Sequence, residues 1–190
     1  MEGYPDRAGA ERLVTEAEAC NPGAWGDHSR VAAKCAERIA AAAGMDAEKA
    51  YILGLLHDIG RKFGVKHLGH VYDGYHYMLE LGHGTAARIC LTHSFSRPDL
   101  RVYIGNFDIS EAQQQELQQL LHSLEFDDYD RLIQLCDCLA GTEGVMDMEE
   151  RMADVKRRYG SYPREKWDAN MELKRYFEEK TGKDIYEIVK

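Results

Sequence analysis

The sequence predicts an all-α fold, a helical bundle, on three observations. Apolar residues recur at i, i+3, i+4 and i+7 through most of the chain, the spacing that lines them along one helix face. Alternating apolar and polar runs long enough for a strand are scarce. Residues that start and stop helices stand where the periodicity begins and ends, as Asp46 does before Ala47 and Gly44 after Ala43.

Taken in order, the first helix is expected from about Ala8 to Cys20, ended by Asn21-Pro22-Gly23. The second runs from Trp25 to Ala43, closed by Gly44, and Asp46 caps a third, Ala47 to Asp58, that stops at Gly60. Further helices are expected over Val71 to Leu81, Gly84 to Thr92, Ser110 to Ser123 and Tyr129 to Gly141. Between them, Ser94 to Ile109 holds Pro98, Gly105 and Asn106 and reads as an irregular loop. Two amphipathic helices, Met146 to Tyr159 and Pro163 to Lys180, follow; their many charges of both signs read as solvated faces.

At 190 residues, 44% of them hydrophobic, the chain can bury one substantial core, so one domain is expected. Its formal charge of 24 − 33 = −9 argues against nucleic-acid polymers and anionic membranes as partners. A phosphate substrate would then need local positive charge from metal ions or a few placed bases. Five cysteines, Cys20, Cys35, Cys90, Cys136 and Cys138, lie mostly within apolar helical patterns and read as buried free thiols of a reducing compartment. The opening MEGYPDRAGAERLV lacks a basic segment followed by an apolar one, and no apolar run is long enough to span a bilayer. A cytoplasmic protein is expected.

The residues that carry chemistry begin with His57-Asp58, at the end of the apolar helix Tyr51 to Leu56 and followed by Ile59-Gly60. An ionised carboxylate there costs several kcal/mol of desolvation unless a cation or base offsets it. His28 precedes Val31, Ala32, Cys35, Ile39 and Ala42 at the spacing of one helix face and so points inward. Asp137 stands alone among the apolar residues of Leu132 to Ala140 and asks for a metal or a distant partner.

The order His28, His57-Asp58, Asp137 resembles the H…HD…D signature of the HD superfamily, and Leu55 to Arg61 resembles its HDIG form followed by a basic residue. The resemblance covers about Trp25 to Ala140 and implies an all-α bundle whose separate helices bring the metal ligands; the C-terminal helices, 146–190, are expected to pack on that core. His70-Val71-Tyr72-Asp73-Gly74, of the form H-x-x-x-G, and His93, ending Ile89 to Thr92, resemble the extra histidines of the subset with two metals. The implied ligands are His28, His57, Asp58, His70, His93 and Asp137, holding one or two divalent transition metals: iron, manganese, zinc or nickel. His67 and His76 are alternatives to His70, favoured less because Gly74 follows His70 at the family's spacing.

The resemblance implies a metal-dependent phosphohydrolase acting on a nucleotide or similar small phosphorylated metabolite. Asp58 would bridge the ions, and Arg61 would meet a phosphate oxygen through its planar fork where the family often has lysine. Lys62 is the second choice for that contact, and Arg97 could reach substrate from the loop after His93. One of Tyr72, Tyr75 and Tyr77 could stack a nucleobase, although aromatics at helical spacing are more often core. The same ligand types surround two irons in HD oxygenases, and a metal-binding regulatory module without turnover is a third reading. A homodimer is compatible with the sequence.

Overall fold

Alanines and a glycine let the second and third helices approach closely: a Cβ on Gly54 would stand 2.9 Å from the Cα of Ala33. This pair is the centre of the computed structural model, which describes residues 3–190. Met1 and Glu2, the start of the segment read for a leader, lie outside the described residues. The helices are α1 (Arg7–Cys20), α2 (Trp25–Ala42), α3 (Ala47–Leu56), α4 (Leu68–Glu80), α5 (Gly84–Thr92), α6 (Glu111–His122), α7 (Asp128–Leu139), α8 (Met148–Tyr159), α9 (Arg164–Thr181) and α10 (Ile185–Val189). Two short 3-10 turns, Ile59–Phe63 and Leu100–Val102, interrupt them, and among the described residues no strand forms, so the fold is all-α.

Helix α3 is apolar all round, with every residue from Ala50 to Leu56 buried, as befits a helix enclosed by others. It touches α1, α2, α5 and α7, so its C-terminal end, which carries His57, emerges in the middle of the molecule. The main core joins α1 to α5 and α7 with Met148 of α8, Phe177 of α9 and Ile185 and Val189 of α10. A second cluster of Leu68, Val71, Leu91, Phe95, Leu100, Val102, Leu117 and Leu121 pins the irregular segment 94–109 against α4, α5 and α6.

Several boundaries differ from expectation. Helix α3 stops at Leu56, two residues before Asp58, and the backbone tightens into the 3-10 turn Ile59–Phe63. Gly60 there passes so close to α4 that a Cβ would lie 1.9 Å from the His70 carbonyl oxygen. Helix α4 begins at Leu68 rather than Val71, because the Asp108 carboxylate accepts from the backbone N–H of His67 at 2.7 Å and of Gly69 at 2.8 Å, a cap supplied from far along the chain. The short α10, capped by Asp184, was not expected. Cys35, Cys90 and Cys136 are buried and all five thiols are free, but Cys20 is exposed at the end of α1, contrary to the reading of a buried thiol. Among the described residues, no helix is long and apolar enough to cross a membrane.

Candidate metal centre

Five helix ends bring six side chains together. His28 comes from the first turns of α2, His57 and Asp58 from the end of α3, His70 from the first turn of α4, His93 from the end of α5 and Asp137 from α7. They form two groups: His28, His57 and Asp137, and Asp58, His70 and His93, each with ligand atoms within 4.8 Å of one another. In the first, His28 Nε2 lies 2.9 Å and His57 Nε2 3.9 Å from Asp137 Oδ1. In the second, Asp58 Oδ1 lies 3.1 Å from His70 Nε2 and 3.5 Å from His93 Nε2. Asp58 Oδ2 stands 4.0 Å from His57 Nε2, so the two oxygens of one carboxylate face different groups.

The backbone sets the orientation of every ring. His28 Nδ1 meets the carbonyl of Ala140 at 3.1 Å, His57 Nδ1 that of Gly54 at 2.7 Å, His93 Nδ1 that of Cys90 at 2.9 Å, and His70 Nδ1 that of His67. A carbonyl oxygen only accepts, so each Nδ1 donates; a neutral ring, the form burial favours at His57 and His70, is then left with its lone pair on Nε2, turned into the centre, whereas His28 also donates from Nε2 to Asp137 Oδ1 and so carries both protons. Ala140 is positioned for this by a tight turn after α7, closed by an isolated β-bridge to Val145.

Burial and the neighbouring charges together set the charge states. Burial pushes the pKa of His57 down to about 4 against the pull of Asp58 and Asp137, and with the Arg61 charge it lowers that of His70. Burial alone would raise the pKa of Asp58, yet the charges of Arg61 and His70 hold it well below the usual range. Asp137 is likewise held low, against burial, by the hydrogen bond and charge of His28, and the same contact raises the pKa of His28 despite its burial.

These observations fit a bound cation. His57 Nε2 is buried without a hydrogen-bond partner, and His70 Nε2 faces His93 Nε2 at 3.2 Å, two lone pairs that repel unless a cation lies between them. Neutral imidazoles and ionised carboxylates are the forms in which these side chains bind metals.

Arg61 donates from Nε to Asp58 Oδ2 at 2.5 Å and lines the cleft above the centre. The structure places the other two bases expected near substrate elsewhere. Lys62 Nζ bonds the Tyr77 hydroxyl at 3.0 Å, and Arg97, 53% exposed, pairs with Glu165 at 3.2 Å; neither lines the cleft. Tyr72 bonds Glu116, Tyr75 packs against the core, and Tyr77 sits on Lys62, so none of the three faces the centre. His76, His83 and His122 join neither group, while His67 serves His70 through its carbonyl.

The cleft has two lobes, of about 180 and 390 Å³. Both are walled by Arg151, Arg158 and Tyr159 of α8, and Lys166 of α9 lines the smaller. Sequence reasoning missed these bases, having read both helices as solvated. The available signal was the stripe Met148, Met152, Val155 and Tyr159, which Arg151 and Arg158 flank two turns apart.

An all-α bundle with a buried histidine and aspartate centre at its helix ends defines a class of metal-binding helical proteins. The model of the HD domain matches residues 25–142, more than half of the chain, and the chain belongs to that family. That family includes metal-dependent phosphohydrolases, and its proteins bind divalent metals. No curated protein and no solved structure matches the chain.

Proposed function

We propose that the protein is a phosphohydrolase that cleaves a phosphate ester or anhydride of a nucleotide or similar small phosphorylated metabolite. His28, His57 and Asp137 would hold one divalent ion and Asp58, His70 and His93 a second, with Asp58 between them. The observation that carries the reading is the set of four imidazoles whose Nδ1 atoms are engaged by backbone carbonyls, so that each Nε2 faces Asp58 or Asp137, and that of His57 both, at the floor of a cationic cleft. Ions held there would lower the pKa of water from about 15.7 toward about 7, making hydroxide available at neutral pH.

The chain itself supplies position and charge. Arg61 is anchored to Asp58 through Nε, and its Nη groups have no hydrogen-bond partner among the described residues, so they are free to take two phosphate oxygens. Asp58 keeps Arg61 oriented, and burial of the four imidazoles excludes competing water from the floor. Asp137, with its side chain 29% exposed, is the ligand most open to the cleft and marks the side from which substrate enters.

The test is release of phosphate from mono-, cyclic and dinucleotides by protein reconstituted with iron, manganese, zinc or nickel. Turnover of at least one substrate that disappears in His57→Ala supports the assignment. Oxygen consumption with iron and no phosphate release would replace hydrolysis by oxygenation at the same centre.

A further inference from the structure

Within a chain of net charge −9, one cleft gathers Arg61, Arg151, Arg158 and Lys166. Three of these lie outside residues 25–142 and come from α8 and α9. Their partners differ in a way that matters. Arg158 is half exposed and bound to Asp154 at 2.9 Å. The Arg151 side chain is partly buried, yet its guanidinium makes no hydrogen bond or ion pair among the described residues. Lys166 is also partly buried, and its ammonium donates only to the neutral carbonyls of Ser94 at 2.8 Å and Val102 at 3.4 Å.

A buried or half-buried cation without a carboxylate is costly to keep unless an anion completes it. The centre already uses Arg61 and the two carboxylates, so Arg151 and Lys166 are positive charge beyond what the reacting group needs. Arg151 lines both lobes and Lys166 the smaller one, where Tyr103 and Tyr162 also contribute walls. A ligand anchored at the centre and extending under α8 and α9 meets these two bases next.

We propose that Arg151 and Lys166 form a second anion subsite, which holds a phosphoryl group of the substrate other than the one attacked. The substrate class is then a small molecule with at least two phosphoryl groups, and α8 and α9 are the elements that select it. This rests on the hydrolase reading of the neighbouring centre, but the subsite can be tested without turnover.

The experiment is calorimetric titration of the metal-loaded protein with orthophosphate and with methylenediphosphonate, a diphosphate analogue that cannot be hydrolysed at its bridge. The wild type should bind the diphosphonate at least about tenfold more tightly, and Arg151→Ala should reduce that preference to about threefold or less. Orthophosphate affinity and metal content should not change. The Arg151 side chain makes no hydrogen bond or ion pair that holds the fold, so its variant should fold; Lys166→Met should act in the same direction, and Arg151→Lys should keep part of the preference. Equal binding of the two ligands by the wild type, or a preference that survives both Arg151→Ala and Lys166→Met, overturns the subsite and leaves the hydrolase reading intact. A preference that depends on Arg151 in a protein that holds no metal supports the subsite and removes the hydrolase reading instead.

Discussion

His57 combines complete burial, an Nδ1 tied to the Gly54 carbonyl and an Nε2 without a partner. A side chain with only a structural role would have its second nitrogen satisfied, as buried polar groups are. His57→Ala should therefore abolish phosphate release while the fold, followed by far-ultraviolet circular dichroism, persists; unchanged turnover would separate His57 from the chemistry. Asp130 provides the contrast. It is fully buried, salt-bridged to Arg88 at 2.6 Å and bonded to the Thr92 hydroxyl at 2.7 Å, yet it belongs to neither histidine group. Asp130→Ala leaves the Arg88 and Thr92 donors stranded and should cost about 3 kcal/mol in denaturant unfolding, whereas a loss below about 1 kcal/mol would show that the pair is dispensable. The histidines and aspartates of the centre could be read from sequence because polar residues on apolar helix faces are conspicuous. Arg151 and Lys166 could not, since a base in a helix rich in charge looks solvated until the fold turns it over a cleft.

Helix starts and ends place the centre, and the least legible of them is the start of α4. Its cap, Asp108, comes from segment 94–109, so no local pattern around His67 could announce it. Gly60 and Gly74 were readable as motif positions, but their reason is tertiary: the 3-10 turn and α4 touch backbone to backbone, which sets His70 beside Asp58. Gly60→Ala should push α4 away, lowering stability by about 2 to 3 kcal/mol and metal content with it. Retained metal at wild-type stability would mean that the contact is slack. At the other end, Asp128 joins α7 to α9 through the Tyr176 hydroxyl and Lys180, and chiefly the Lys180 bond holds its pKa below the usual value. A carboxylate depressed on folding adds stability above its unfolded pKa of about 3.9 and loses it as pH falls through the lower folded value. The pair is partly exposed, so the contribution is at most about 1 kcal/mol. Asp128→Asn should flatten the stability profile below about pH 4 and leave its shape near neutrality unchanged. An acid limb identical to the wild type would show that the pair does not hold α9.

Across the whole molecule, the family region and the C-terminal helices share apolar contacts. Phe177 of α9 and Ile185 and Val189 of α10 are buried in the same cluster as Ile39 of α2 and Leu135 of α7. Phe177→Ala should cost about 3 to 5 kcal/mol and lower the midpoint of a single cooperative transition. Two separate transitions would show that the C-terminal helices fold apart from residues 25–142. The helical architecture was legible because periodicity and caps agree along most of the chain, as at Asp46 before α3 and Gly44 after α2. The site's second wall was not, because it depends on how α8 and α9 lie over the ends of α4, α5 and α7. The measurement that bears most directly on all of this is the metal content, by elemental analysis, of protein purified without chelator or affinity-column metal. The account predicts about two equivalents per chain, lost in His57→Ala. No bound metal, even after reconstitution with iron, manganese, zinc and nickel in turn, would contradict it.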